Sequence, residues 1–312
     1  MRYAVVCQVE SRTLPSIEIR PIRTHSERQA IEQLQREIWN LVDVKIVPDH
    51  MLVSIQKSGG LVLGAFESSS DEGRERLIGF IYGLVGLTCD GRVKHCSDMA
   101  GVVPAYQNQN VGYRLKLAQR EHMLAQGIDL ITWTFDPLES RNARLNFRKL
   151  GATCRTYLRN VYGSMRDELN AGLSSDRFQV EWHIASDHVA DRLSGDWGRR
   201  IAGLGDSPSA LQAEGVPVLN PALPGDDGLL RPSREVLPIE GDRLLIQIPA
   251  HFQAIKAADL ELARAWREHT RVLFEAAFAA GYTVVDLLFE KEQTKGKGGQ
   301  SFYLLREDWV PG

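Results

Sequence analysis

The chain has 312 residues, 43% of them hydrophobic, with 25% charged and a formal net charge of −3. That suffices for a sizeable buried core in one large domain or two. The absence of a basic excess argues against nucleic acid, whose phosphates call for clustered Lys and Arg. No apolar run approaches the roughly 20 residues of a membrane-spanning helix. The N-terminal apolar stretch is too short for a signal peptide, and Glu10 interrupts it. Cys7, Cys89, Cys96 and Cys154 lack metal-ligand spacing. They read as reduced thiols of a soluble, cytoplasmic protein without a metal.

In chain order, residues 16–23 alternate as a strand. Residues 27–42 place Ile31, Leu34, Ile38 and Leu41 at helical spacing behind a Ser26 cap. A short helix (49–56) and strands at 60–68, 77–88 and 93–103 follow, the last two as a hairpin across Cys89–Arg92. A polar loop from Pro104 to Asn110 leads to an amphipathic helix (111–125) stopped by Gly127. Then come a strand (130–135), a helix (137–150) ended by Gly151, and strands at 153–161 and 178–184. Residues 195–241 are dense in Gly and Pro and read as a linker or surface excursion. The C-terminal segment offers a strand (243–248), a long helix (257–280), Gly281, a strand (284–289), a Lys/Gly turn (295–299) and a last strand (302–305). Helix, Gly127 and the strand closing at Phe135 echo helix, Gly281 and the strand closing at Phe289, a pattern common enough to arise without a repeat.

The strand–polar loop–helix junction at 101–113 carries the chemistry. The first turn of a helix exposes N–H groups without intrahelical acceptors, and the dipole adds positive charge there. A pyrophosphate fits such a site without a basic side chain. The loop must let its backbone approach closely, which favours Gly, or Asn in a left-handed conformation. Here the junction reads Gly101-Val102-Val103-Pro104, then Gln107-Asn108-Gln109-Asn110-Val111-Gly112-Tyr113.

This junction resembles the Gln/Arg-x-x-Gly-x-Gly/Ala motif of the GNAT superfamily of N-acyltransferases, preceded by a strand ending in apolar-x-Pro. Asn110 stands for the first Gly and Gly112 for the second. Asn tolerates positive φ more readily than most residues. The Leu150-Gly151 step and the element order support the resemblance over roughly residues 16–165. ITWTFDPLESRNARLNFRKLGA (131–152) looks like a longer bacterial branch of such proteins, some thought to be amino-acid N-succinyltransferases. That branch also shows a strand like DRFQVEW and a C-terminal section like IPAHFQAIKAADLELARAWR.

The resemblance implies an α/β fold, a central twisted, splayed mixed sheet flanked by helices, with a strand–helix–strand extension at the C-terminus. The domain expectations are 1–194 for the acyl-coenzyme A binding part, 195–241 for the linker and 242–312 for the extension. The implied reaction moves an acetyl or succinyl group from acyl-CoA, the only cofactor expected, to a primary amine of a small molecule such as an amino acid. No nucleic-acid or membrane partner is expected, and a homodimer is allowed. The implied cofactor-binding residues are Gly101, Val102 and Val103 along the pantetheine, Gln107, Asn108, Gln109, Asn110, Val111, Gly112 and Tyr113 around the pyrophosphate, and Asn142 and Phe147. An N–H between Ala100 and Val102 would meet the oxyanion.

The general base has several candidates: Asp98, whose apolar neighbours Met99–Val103 would raise its pKa if it were buried, Asp136, His95 and Glu139. The bland alternatives are an exposed strand end for Asp98, a helix cap for Asp136 and a surface histidine for His95. Phe147 stands where many GNAT enzymes carry a proton-donating Tyr, and Ser140 stands at their usual Asn. A non-catalytic acyl-CoA sensor is therefore the competing reading. Arg141, Arg144 and Arg148 share a predicted helix face that could receive a carboxylate or simply be solvated. Trp133 and Trp182 could line an acceptor pocket or lie in the core.

Overall fold

The computed structural model describes residues 16–40, 43–68, 75–163, 173–194, 207–290 and 299–312. The chain divides into two compact units, one of residues up to Leu84 together with Met99–Gln119, the other of Val85–Asp98 and Arg120–Gly312. Three elements run from one unit into the other: β3 (Glu75–Leu87), β4 (Val93–Val102) and α3 (Val111–Ala125).

The first unit begins with β1 (Ile17–Pro21), α1 (His25–Trp39), α2 (Asp49–Lys57) and β2 (Leu61–Ser68). Strands β1, β2 and β3 pair antiparallel in sequence order, and β4 lies beside β3. The apolar stripe of α1, Ile31 and Leu34, packs with Leu52, Val62, Phe80 and Val103. The cap of α1 is Thr24 rather than the expected Ser26. Its hydroxyl accepts from the Glu27 N–H and the Glu27 carboxylate accepts from the Thr24 N–H, a capping box. The helix stops at Asn40 in the left-handed region (φ 50°), earlier than the apolar spacing suggested.

In the second unit the strand order is β4-β5-β7-β6-β11-β12-β10. Its strands are β5 (Leu130–Phe135), β6 (Thr153–Leu158), β7 (Arg177–His183), β10 (Arg243–Pro249), β11 (Tyr282–Glu290) and β12 (Gln300–Glu307). Helix α4 (Ser140–Ala143) widens into a π-helix over Arg144–Lys149, and α5 is Asp187–Leu193. The helix predicted at 257–280 is α8 (Leu260–Ala279), and a separate short helix, α7 (Phe252–Ala258), precedes it. The break falls at Asp259, whose carboxylate caps α8 by accepting from the Leu262 N–H at 2.9 Å.

The Gly/Pro-rich stretch, expected as a linker or surface excursion, is described over 207–241. It holds α6 (Pro208–Ala213) and a small hairpin of β8 (Leu223–Pro224) and β9 (Leu230–Arg231). Leu211 and Val216 are buried against Leu245, Leu288 and Phe302. Apolar side chains spaced between the turn residues anchor it. The Lys/Gly turn at 295–299 lies outside the described residues except for Gly299.

The sheet of this unit reads the same from both ends. In β5–α4–β6–β7 the last strand inserts between the first two, giving order β5-β7-β6. In β10–α8–β11–β12 the order is β10-β12-β11, by the same rule. The helix of each copy ends near a glycine with positive φ, Gly151 (71°) and Gly281 (92°). Three residues on from each stand Cys154 and Val284, and these two pair with each other where β6 meets β11 antiparallel. A local two-fold therefore runs between them. The counterpart of Gly281 is Gly151, not Gly127 as the sequence echo implied, because helix-Gly-strand recurs in both places and only strand pairing tells them apart.

Side chains reinforce this join. Asp286 of β11, bent out of register beside Val284, accepts from Arg148 Nη1 at 2.6 Å and Arg192 Nη1 at 3.0 Å. Its side chain is only 5% exposed. Removing the carboxylate leaves two guanidinium groups facing each other in a poorly hydrated site. Asp286→Ala is expected to destabilise the protein by about 3 kcal/mol, read as a lower denaturation midpoint with unchanged slope.

Candidate functional site

The end of β4 and the loop after it lie in the first unit. The Val103 N–H donates to Ile78 O of β3 at 2.9 Å. Because successive residues of a strand turn their backbone groups to opposite edges, Ala100 and Val102 face away from β3. Of the three residues expected along the pantetheine, Val102 thus has its backbone at the outer edge, whereas Gly101 and Val103 are turned toward β3. A Cβ on Gly101 would sit 2.6 Å from the Trp39 ring and 2.8 Å from Ile38. Gly101 is a glycine because α1 packs on it. Val103 is buried in the core of this unit.

Beyond Val103 the chain makes one 3-10 turn, Pro104–Tyr106, and then two left-handed residues, Asn108 (φ 66°) and Asn110 (φ 62°). The sequence expected the left-handed conformation at Asn110. Gln107 folds back so that its Nε2 donates to Val102 O at 3.1 Å, and Gln109 Nε2 donates to Ala105 O at 3.0 Å. Asn108, Gln109 and Asn110 are exposed. Helix α3 starts at Val111, and the Arg114 N–H donates to Asn110 O at 3.0 Å. The N–H groups of Val111 and Gly112 precede the first intrahelical bond and have no acceptor within the helix. A Cβ on Gly112 would meet only Val102 Cγ2, at 3.9 Å. Among the described residues nothing else comes within 4 Å of that position, and the φ of Gly112 lies outside the positive region. The glycine leaves room for a group that approaches the backbone.

Two partners of this loop were not apparent in the sequence. The Tyr106 hydroxyl donates to Glu67 Oε2 of β2 at 2.5 Å, and the Arg76 guanidinium lies 5.9 Å from the Tyr106 ring. The hydrogen bond to Glu67, then burial, raise the Tyr106 pKa and keep the phenol protonated. The tie spans 39 residues, and no local signal announces it. One turn into α3, Lys116 is buried with Nζ donating to Gln119 Oε1 at 3.2 Å. Desolvation pushes its pKa down to about 7.

The base candidates fare differently. Asp98 is exposed, so the burial on which its candidacy rested is missing. The strand alternation that buries His95 and Ser97 turns it outward. His95 is fully buried, not a surface residue. In the second unit, Asp136 accepts from both terminal nitrogens of Arg267 in α8, at 2.8 and 2.5 Å, and from the Leu138 N–H at 2.9 Å. A guanidinium holding both oxygens of a carboxylate is a strong, geometrically specific pair. Burial, then the neighbouring Asp136, raise the pKa of Glu139, which accepts from Gln253.

Phe147, expected as a cofactor contact, is instead a core residue. It is fully buried between Phe135 (5.9 Å between ring centroids) and Tyr303 (5.7 Å). Asn142 is exposed on α4. The π turn shifts the helical phase, so Arg148 leaves the face of exposed Arg141 and Arg144 and joins Asp286. Trp182 is fully buried, donating to Leu150 O at 2.8 Å and packed edge-on against Trp133. The parallel β4–β5 ladder has only two pairs, His95↔Ile131 and Cys96↔Thr132. No group of three or more potential metal ligands occurs among the described residues. Among them no helix is long and apolar enough to cross a membrane.

From β1 to β7 the elements follow the order expected from the resemblance. The fold is mixed α/β. No family model matches the chain, and a search of curated proteins finds no match. Among solved structures, the chain is similar to the NatC complex bound to Gag peptide and CoA (15% identity, 54% of this chain and 98% of that one, TM-score 0.44). It is also similar to Arabidopsis thaliana NAA60 in complex with acetyl-CoA (17%, 54% and 99%, 0.43). A third is an acetyltransferase of the GNAT family from Streptococcus pneumoniae (16%, 53% and 98%, 0.41).

Lys116 makes stability depend on pH. In the folded chain it loses its proton near pH 7, whereas an unfolded lysine keeps it to about 10.4. The unfolded state binds more protons between these values, so the penalty is full below pH 7 and fades as pH rises toward 10. Lys116→Met is expected to be more stable than the parent by roughly 2 kcal/mol at pH 7, the gap closing by pH 10 in parallel urea melts.

Proposed function

We propose that the chain is an acyl-CoA-dependent N-acyltransferase that moves an acetyl or succinyl group to the primary amine of a small molecule, an amino acid being the favoured class. One observation carries the reading: Gly112, at the start of α3 behind two left-handed asparagines, has open space where a side chain would be. Backbone N–H groups converging there suit a pyrophosphate, and the helix dipole adds to their attraction. In this reading the outward backbone of Ala100 and Val102 holds the thioester arm and supplies the oxyanion donor. The amine attacks the thioester carbon, the carbon–sulfur bond breaks, and the thiolate leaves with the electron pair. Water accepts the amine proton and returns one to the sulfur.

A second reading is a non-catalytic acyl-CoA sensor. Buried Phe147 and the clamped Asp136 favour it, since both stand where chemistry was expected.

Gly112→Leu tests the site. The new side chain enters space that the protein leaves open, so the melting temperature should stay within about 2 °C of the parent. CoA affinity by calorimetry should fall at least ~10-fold, about 1.4 kcal/mol. Unchanged affinity, or no CoA binding by the parent, removes the acyl-CoA reading. Thiol release from acetyl- and succinyl-CoA over a panel of amino acids then separates enzyme from sensor: turnover with any pair sinks the sensor.

A further inference from the structure

We infer that the C-terminal half-sheet carries a ligand site of its own, a pocket for a compact apolar carboxylate. The inference does not depend on the acyl-CoA reading. Strand β10 is the counterpart of β5 under the local two-fold, and like β5 it has a short parallel neighbour at its outer edge. The Leu245 N–H donates to Pro217 O at 2.9 Å and the Leu219 N–H to Leu245 O at 2.8 Å, with Val218 opposite Leu245.

Two residues on, side chains replace the ladder. Asn220 Nδ2 donates to Gln247 O at 3.0 Å, and its Oδ1 accepts from the Gln247 N–H at 2.8 Å. Gln247 Oε1 in turn accepts from the Ala222 N–H at 2.8 Å. Side-chain amides reach across where the backbones have drawn apart. Pro221, Pro224 and Pro249 have no N–H with which to resume the pairing.

Beyond this amide bridge lies a cavity of about 330 Å³. Its lining includes the apolar Ala222, Leu229, Leu230, Pro249 and Ile255 and the polar side chains of His251 and Gln300. Its size sits at the lower end for small-molecule pockets, enough for a single ring or a short branched chain. His251 can donate a hydrogen bond, Gln300 Oε1 accepts from Gln247 Nε2 at 3.4 Å, and no acidic residue is among the described residues lining the cavity. An apolar body ending in a carboxylate matches that lining. A nucleotide does not: the chain after Ala222 turns into the β8–β9 hairpin, so no polar loop and helix follow to cradle phosphates.

The test uses the full chain and 4-fluorobenzoate, followed by fluorine NMR, with 4-fluorotoluene as the uncharged counterpart. The expected result is saturable binding of 4-fluorobenzoate, weaker by at least ~10-fold in Ala254→Phe, whose new ring fills the cavity from an exposed position on α7. His251→Ala, also at an exposed position, should weaken the carboxylate several-fold. Thermal melts confirm that each variant is folded, and His251→Ala decides alone if Ala254→Phe is not. No saturable binding, binding insensitive to the folded variants, or equal binding of 4-fluorotoluene overturns the inference.

Discussion

Much of the second unit depends on one narrow seam, the antiparallel join of β6 to β11 at Cys154 and Val284. A ladder this short contributes little by itself. Its strength comes from what crosses it. Arg148 and Arg192 meet Asp286 in a nearly dry site, where three charges hold together only as long as the carboxylate is present. Phe147 packs on Tyr303, and Phe274 and Phe278 of α8 pack on Phe178 of β7. Each half-sheet is thus covered in part by the helix of the other.

That exchange explains why the helix expected to serve a cofactor serves the core. Phe147 and Arg148 were read as facing a ligand or solvent, and the second half-sheet uses both. Arg267 reaches Asp136 from 131 residues away and takes both of its oxygens. A carboxylate that reads as a free base in a chain of one domain becomes a tie in a chain with an added half.

The first unit works on a different constraint. Its loop depends on backbone conformation rather than on distant partners: a 3-10 turn, two left-handed asparagines and a glycine with open space beside it. Such a cradle needs no basic side chain, in keeping with the slightly acidic composition. Its shape is set within a dozen residues, with Tyr106 to Glu67 as a long-range brace.

What the amino-acid sequence determined by itself was local. Apolar periodicity located β1 to β7 and α1 to α3, and the left-handed tolerance of Asn foretold the conformation at Asn110. Only the tertiary structure tells the open space beside Gly112 from the packed position of Gly101, on which Trp39 lies. The tertiary structure alone decided the fate of Asp136, Phe147 and Arg148. It also decided which half of the chain Gly281 repeats. Strand alternation and packing set which way a side chain points and what it meets. Those depend on residues more than a hundred positions away, and no window of sequence brings them together.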